Sequence, residues 1–216
     1  MNKGKKLYEG KAKIIYETNE NDLIIQHFKD DTTAFNALKK ASIEGKGVLN
    51  NRISEYLLNF LAQCGIKTHL IKRINMREQL IKKAEILPIE FIVRNVATGS
   101  LSKRLGISEG TVLEKPLLEY YLKNDDLEDP IITKEHINAF EWATDKEIKK
   151  IDKMSLRIND LLQGVFSAVG IKLVDFKIEY GRVWDNIKET NEIILADEIS
   201  PDTCRLWDIN TDKKLD

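Results

Sequence analysis

The chain has 216 residues, with 34 Lys plus Arg against 35 Asp plus Glu and a formal net charge of −1. That parity argues against a bulk polyanion-binding surface, which needs clustered cations, so no nucleic-acid partner is expected. Hydrophobic residues at 42% suit a globular protein, while 11 Gly, 4 Pro and 2 Cys exclude collagen-like, low-complexity and disulfide-scaffold classes.

Cys64 and Cys204 lie far apart without CxxC spacing and are expected to be free thiols. Neither they nor His27, His69 and His136 have zinc-site spacing. The basic start, Met1 to Lys6, leads into no apolar signal run, and no window approaches the roughly 18–20 apolar residues that cross a bilayer. A cytoplasmic protein without a membrane partner is expected.

Taken in chain order, the first third reads as strands. Lys11 to Tyr16 alternates, Leu23 to Phe28 is a second strand, and Glu9-Gly10 or Asn19-Glu20-Asn21 supplies turn chemistry. From Val48 to Cys64 the period becomes helical, with the stripe Leu49, Ile53, Tyr56, Leu57, Phe60, Leu61 and Cys64 and a left-handed stop at Gly65. Leu70 to Ile74 and Gln79 to Lys83 read as strands, and Leu87-Pro88 as a hinge. Ile89 to Arg94 is a strand entering the loop Asn95 to Ser100, before a helical Leu101 to Leu105. Asn124 to Pro130 is an acidic loop. A long helix follows, opened by the capping box Thr144 to Glu147 and ended at Gly170. Its stripe is Ile148, Ile151, Met154, Ile158, Leu161, Leu162, Val165 and Val169.

Residues 171–208 carry the most chemistry. Ile171 to Gly181 is a strand with Val174, Phe176, Ile178 and Tyr180 on one face and Asp175, Lys177 and Glu179 on the other. By itself, that polar face is a row of solvated charges. Glu192 to Ala196 is a second apolar strand ending at Asp197-Glu198. A hairpin of the two returns Asp197 to within about two positions of facing Glu179, where cross-strand neighbours lie ~4.5–8 Å apart. Two such carboxylates repel unless a cation joins them, and Mg²⁺ is the natural one because it takes one or two carboxylates and substrate phosphates. Lys177 adds charge for a phosphate. Ser200-Pro201-Asp202 turns the chain, and Arg205 suits a phosphate or carboxylate, with an ion pair to Asp202 or Asp208 as the alternative.

Elsewhere the motifs are weaker. Leu7 to Lys13 reads as a phosphate-covering hairpin at Gly10 or as a solvated strand face; it is no Walker A loop, since Ala12 stands where Ser or Thr should bind magnesium. Gly45-Lys46-Gly47 lacks the third glycine of a dinucleotide fingerprint. Ser100 either caps the helix after it or joins Arg94 in holding an anion. Trp142, Trp184 and Trp207 are expected to pack rather than stack on bases.

The blocks LYEGKAK (7–13), DDTTAFN (30–36), KGVLNN (46–51), LPIEFIVRNVATGS (87–100), LVDFKIEYG (173–181) and DEISPDTCRLWD (197–208) stand in order. Together they resemble the SAICAR synthetase family of purine biosynthesis, from about Leu7 to Asp208. The resemblance implies an ATP-dependent ligase. ATP phosphorylates the carboxylate of carboxyaminoimidazole ribonucleotide (CAIR), and the amine of L-aspartate displaces the phosphate. It also implies an α+β fold, with a small β-rich N-terminal lobe (1–87) stacked on a larger α/β lobe (88–216), ATP in the cleft, and a homodimer.

Carried onto this sequence, the resemblance makes Gly10, Lys11, Ala12 and Lys13 the ATP-phosphate hairpin and Lys82 to Ala84 the hinge against adenine. It makes Glu179 and Asp197 the Mg²⁺ ligands. Arg94, Ser100 and Arg205 become the pocket for the ribonucleotide phosphate, and Asp175 and Lys177 the groups near the reacting centre. Asn36 and Asp202 join the substrate-binding set without named contacts, and Asp129 falls in a matched region without a role. Ala37 stands where the family commonly has Gly, so the loop after Phe35-Asn36 is expected to be less free to turn left-handed. The family usually continues past the position of Asp216 into a charged segment and a helix, so this sequence is expected to be the ordered part of a longer chain or, as the alternative, a chain that lacks that element.

Overall fold

A computed structural model describes residues 3–34 and 39–215. Asn36 and Ala37 lie outside the described residues. In chain order the elements are β1 (Lys6–Glu9), β2 (Lys13–Glu17), β3 (Leu23–Phe28), β4 (Asp31–Ala34), β5 (Lys39–Ser42), α1 (Lys46–Gln63), β6 (Leu70–Arg73), β7 (Glu78–Lys82), β8 (Glu85–Val96), α2 (Gly99–Leu105), β9 (Val112–Leu122), β10 (Ile131–Ile132), α3 (Lys134–Ala139), α4 (Asp145–Ser167), β11 (Ile171–Asp185), β12 (Thr190–Ala196) and β13 (Cys204–Asp208). The fold is mixed α and β. It divides into a first unit, Met1–Ile86 with Gly181–Ser200, and a second, Leu87–Tyr180 with Pro201–Asp216.

The division expected from the sequence put all of 88–216 together, whereas Gly181–Ser200 groups with the first unit. The reason is local. Leu195 forms a parallel bridge with Thr68. Its carbonyl accepts from His69 N at 2.9 Å, and its N–H donates to the Lys67 carbonyl at 2.9 Å. Nor does Pro88 break its strand. β8 runs through it, and the proline carbonyl still accepts from Lys123 N at 3.1 Å, so only the missing N–H is lost to the ladder.

In the first unit the strands run in the order β1-β2-β3-β7-β6, with every neighbouring pair antiparallel. Ile25, Phe28, Leu80 and Ile81 are buried, and α1 lies against β3, β6 and β7. The buried face of the helix keeps Leu57 and Leu61 of the expected stripe but is rotated away from its other members. Leu49 and Tyr56 are exposed, while Asn50, Asn51 and Ser54 are buried with Leu57, Leu58 and Leu61. Polar groups of the sheet side explain this. Gln79 Nε2 donates to the Asn51 carbonyl at 3.0 Å, and Asn51 Nδ2 to the Asn75 carbonyl at 3.0 Å. At Gly47 the helix start runs so close to β3 that a Cβ would stand 2.6 Å from the Phe28 carbonyl oxygen.

In the second unit β10-β9-β8-β11 are consecutive neighbours, and β13 pairs with β11. Alternation along these strands sorts the sheet into two faces. On one, Phe91 packs edge-to-face on Tyr120 and Tyr180, with centroids 5.6 and 5.1 Å away. Ile148, Ile151, Ile158 and Leu162 of α4 are buried with them, and Ser155 and Tyr180 share a hydroxyl hydrogen bond of 2.7 Å. The capping box of α4 forms as expected, whereas Val169 is exposed and Phe166 takes the last buried place. Among the tryptophans, Trp207 is buried, Trp142 stacks on Phe140, and Trp184 is exposed, contrary to the packing role expected of it.

Two glycine substitutions test this packing with opposite signs. Gly47→Ala places a methyl against backbone and is expected to destabilise by about 1–3 kcal/mol. Gly164→Ala, in the interior of α4 with nothing within 4 Å, is expected to stabilise by about 0.5–1 kcal/mol. Urea unfolding of both variants measures the two shifts.

Candidate functional site

The other face of the second unit's sheet is charged and largely buried. Glu90 and Arg94 come from β8, Glu119 and Tyr121 from β9, and Asp175, Lys177 and Glu179 from β11. Period-two alternation places them opposite the apolar layer. Burying ionised groups costs several kcal/mol each unless opposite charges and hydrogen bonds compensate, and here they do.

Arg94, with its side chain only 3% exposed, distributes its donors over four groups. Nε donates to Glu119 at 2.7 Å, Nη1 to Asp175 at 2.8 Å, and Nη2 to the hydroxyls of Ser100 and Tyr121 at 3.1 Å each. Tyr121 donates in turn to Glu119 at 3.0 Å. Arg104 also pairs with Glu119, and Arg205 Nη1 donates to Asp175 at 2.8 Å. Burial pushes the Asp175 carboxyl above its usual range, against the pull of Arg205 and Arg94. Burial works against the charge on Arg94 too, but Glu119 and Tyr121 more than offset it. Three guanidiniums thus meet two carboxylates, leaving one positive charge unmatched within the cluster. Ser100 does not cap α2, whose N-cap position is Thr98. Gly99 takes φ +54°, and a Cβ there would stand 2.8 Å from Arg205 Nη2, so glycine lets the guanidinium lie against the start of the helix.

Farther along the same face, Lys177 donates to Glu90 at 2.6 Å and to Glu179 at 3.5 Å. Lys123 pairs with the second oxygen of Glu179, so each oxygen of this buried carboxylate holds an ammonium. The solvated charges that the strand alone suggested are therefore buried ion pairs at Asp175 and Glu179.

The first unit has its own charged centre. Lys13 of β2 pairs with both Asp197 and Glu198, just past the end of β12. Burial opposes its charge, but Asp197 and Glu198 together raise its pKa above the ordinary lysine value. Asp197 sits at φ +62°, a left-handed conformation that costs a non-glycine residue of order 1–3 kcal/mol. His69 lies beside this pair and is 3% exposed; burial lowers its pKa to about 4, so the ring is neutral. Before Lys13, the chain closes a tight turn in which Gly10 N donates to the Lys13 carbonyl at 2.9 Å, and Ala12 accepts from Lys29 N at 2.8 Å. Lys11 is exposed at this turn. At the end of β7, Lys82 N donates to the His69 carbonyl at 2.8 Å and Lys83 N to the Asp22 carbonyl at 2.8 Å. Ala84 is half-buried against Gly181, where a Cβ would come 2.8 Å from Ala84 Cβ.

The structure therefore gathers Arg94, Ser100, Asp175 and Arg205 into one network, and Lys177 with Glu179 into another, all in the second unit. Lys13 and Asp197 meet in the first. Asp202 is exposed in the turn before β13, and Asn36 lies outside the described residues. Sequence reasoning missed Glu119, Tyr121, Arg104, Lys123, Glu90 and His69. The alternating Leu117-Leu118-Glu119-Tyr120-Tyr121-Leu122 was the available signal for the β9 pair. Among the described residues no group of three or more His, Cys, Asp or Glu side chains is gathered as a metal-binding set.

The family model described as SAICAR synthetase matches residues 6–216. The chain is 70% identical over 216 residues to the phosphoribosylaminoimidazole-succinocarboxamide synthase of Pelagibacter ubique (strain HTCC1062), covering all of this chain and 82% of that one. Its structure is similar to a crystal structure of the phosphoribosylaminoimidazole-succinocarboxamide synthase from Ehrlichia chaffeensis, at 53% identity and TM-score 0.95, covering 98% of this chain and 89% of that one. It is also similar to a SAICAR synthetase (Type-2) solved in complex with ADP, at 44% identity and TM-score 0.91, covering 97% of this chain and 87% of that one.

Removing one partner from the buried network is expected to cost far more than removing an exposed ion pair. Glu119→Leu strips the acceptor from two guanidiniums and should destabilise by about 3–5 kcal/mol. Lys214→Ala breaks a pair with Glu109 whose side chains are 60% and 49% exposed. It should cost no more than about 1 kcal/mol. Equilibrium denaturation of the two variants checks the ranking.

Proposed function

Because the chain belongs to the SAICAR synthetase family, we propose that it joins L-aspartate to the carboxylate of CAIR with cleavage of ATP to ADP and phosphate, in purine biosynthesis. A CAIR carboxylate oxygen attacks the γ-phosphorus of ATP, the bond to ADP breaks, and an acyl phosphate forms. The aspartate amine then attacks the acyl carbon, the C–N bond forms, phosphate leaves, and the amine loses its proton. The observation that carries the site assignment is the Arg94–Asp175–Arg205–Glu119–Arg104 cluster with its unmatched positive charge, which suits a phosphate monoester.

Within that cluster we assign the ribonucleotide phosphate to Arg205, 40% exposed, with Arg94 and Ser100 at its side. Asp175 anchors the two guanidiniums, and Lys177, held between Glu90 and Glu179, is assigned to the reacting carboxylate on the resemblance. Asp202 and Asn36 remain assigned to the substrate side on the resemblance alone.

In the first unit, Gly10, Lys11, Ala12 and Lys13 are assigned to the ATP phosphates, and Lys82 to Ala84 to adenine. The N–H groups of Lys82 and Lys83 are already spent within the unit, so we assign adenine recognition there to carbonyl oxygens, the match for its exocyclic amine. ADP in the related Type-2 structure supports the nucleotide assignment. Asp197 and Glu179 fit Mg²⁺ in donor chemistry. Both are oxygen-only ligands, and both hold cations already, from Lys13 and from Lys123 with Lys177. When bound, Mg²⁺ supplies neutralisation of the transferred phosphoryl group's charge. A cytoplasmic homodimer is proposed on the resemblance alone.

ADP release with CAIR, measured with and without aspartate, tests the reaction. Product carrying a new amide is expected only with aspartate present; phosphate transfer without any aspartate-dependent amide would make the protein a small-molecule kinase instead. Asp197→Asn should lower kcat by about 100-fold or more, with the fold intact by circular dichroism. Arg205→Ala should raise the KM for CAIR by about ten- to a hundredfold, the worth of one charged hydrogen bond. An unchanged KM would remove Arg205 from the phosphate pocket.

A further inference from the structure

Arg104 belongs to the charged cluster of the second unit but is given no ligand of its own above. Its place in the fold is specific. Gly99 runs so close to Arg205 that a Cβ would stand 2.8 Å from its Nη2. The next residue, Ser100, accepts from Arg94 Nη2 at 3.1 Å. One turn on, Arg104 shares the face of Ser100, since residues four apart are neighbours on a helix surface. Three guanidiniums, from β8, α2 and β13, are therefore gathered along one short helix.

The three differ in what they can offer. Arg94 is 3% exposed, and its hydrogen bonds to Glu119, Asp175, Ser100 and Tyr121 draw on the five N–H groups an arginine carries. The side chains of Arg104 and Arg205 are 32% and 40% exposed, so a ligand reaches these two. A single hydroxyl sets where Arg104 stands. Tyr121 accepts from Arg94 Nη2 at 3.1 Å and from Arg104 Nη1 at 3.2 Å, and donates to Glu119 at 3.0 Å. A phenol has one proton and two lone pairs, so the hydroxyl is saturated. Arg94 and Arg104 also take opposite oxygens of Glu119, Oε2 and Oε1. Two like charges this close repel unless something compensates, and the shared carboxylate and hydroxyl hold them side by side.

We propose that Arg104 is a further ligand of the substrate's phosphate group, oriented for it by the Tyr121 hydroxyl. Arg104 and Arg205 supply the two reachable guanidiniums, which match the charge of about −1.5 to −2 on a phosphate monoester at pH 7. Arg94 holds the frame. The proposal rests on the assignment of the ribonucleotide phosphate to this cluster.

Calorimetric titration compares CAIR with its 5′-dephosphorylated nucleoside in the wild type, Arg104→Gln, Tyr121→Phe, the double variant and Arg205→Ala. Glu119 keeps Arg94 and Tyr121 when Arg104 is replaced, so no buried carboxylate is left unpaired. Arg104→Gln and Tyr121→Phe are each expected to weaken CAIR by about tenfold or more, the worth of a hydrogen bond to a charged group. Both should leave the nucleoside's affinity unchanged. Because Tyr121 acts through Arg104, adding Tyr121→Phe to Arg104→Gln should cost no more than about twofold, the scatter of additive sites. Losses that multiply would overturn the proposal, since Tyr121 would then act without Arg104. So would an equal loss for nucleotide and nucleoside, which marks a packing role. Unchanged CAIR affinity in Arg104→Gln with a loss in Arg205→Ala would overturn it and spare the phosphate pocket. Unchanged affinity in both would overturn the pocket as well. Should Arg104→Gln not fold, Arg104→Lys keeps a charge on Glu119 and carries the same comparison, with a smaller loss for want of the planar fork.

Discussion

A carboxylate taken out of water must hold a cation close or give up its charge, and this constraint organises both units. In the second unit it is met at the level of a whole sheet face. Asp175, Glu119, Glu179 and Glu90 are each matched by Arg or Lys side chains, Glu179 by Lys177 of its own strand and by Lys123 just past β9. Such pairing contributes little net stability over an apolar layer, because desolvation of both partners offsets most of the attraction. What it does supply is orientation. A guanidinium bonded to Glu119, Asp175, Ser100 and Tyr121 has no rotamer freedom left, so a ligand bound beside it meets a fixed field rather than one that must first be ordered.

The first unit meets the same constraint with fewer groups and more backbone strain. One lysine, Lys13, serves two adjacent carboxylates, and the residue that aims the first of them sits in a left-handed conformation. Strain of this kind persists only where neighbouring structure over-determines it. Here the neighbouring structure is the segment ending at Leu195, which is bridged to Thr68 and hydrogen-bonded to Lys67 and His69.

Much of this was legible beforehand because period-two alternation is exact in strands. The faces of β11, the capping box of α4 and the left-handed glycines 65 and 170 follow from local rules. Local rules failed where partners distant in sequence decide. The stripe of α1 pointed Leu49 and Tyr56 inward, but hydrogen bonds with Asn75 and Gln79 turned Asn50, Asn51 and Ser54 to the core. Pro88 looked like a break, yet a proline whose carbonyl stays bonded is tolerated in a strand. Charges on a strand face read as solvated until the opposing strands were known, since nothing in Asp175 or Glu179 says that Arg94 and Lys123 will cover them.

The near-zero net charge thus conceals sorted charge in each unit, with guanidiniums and ammoniums over buried acids in the second and Lys13 between Asp197 and Glu198 in the first. The central claim is that these lysine-held carboxylates are metal ligands in the working enzyme. Anomalous diffraction from crystals grown with ADP and Mn²⁺ in place of Mg²⁺ tests it most directly. The account predicts manganese peaks on the carboxylate oxygens of Asp197 and Glu179. Manganese bound by the nucleotide phosphates alone, with Lys13 still holding Asp197 and Lys123 still holding Glu179, would contradict it.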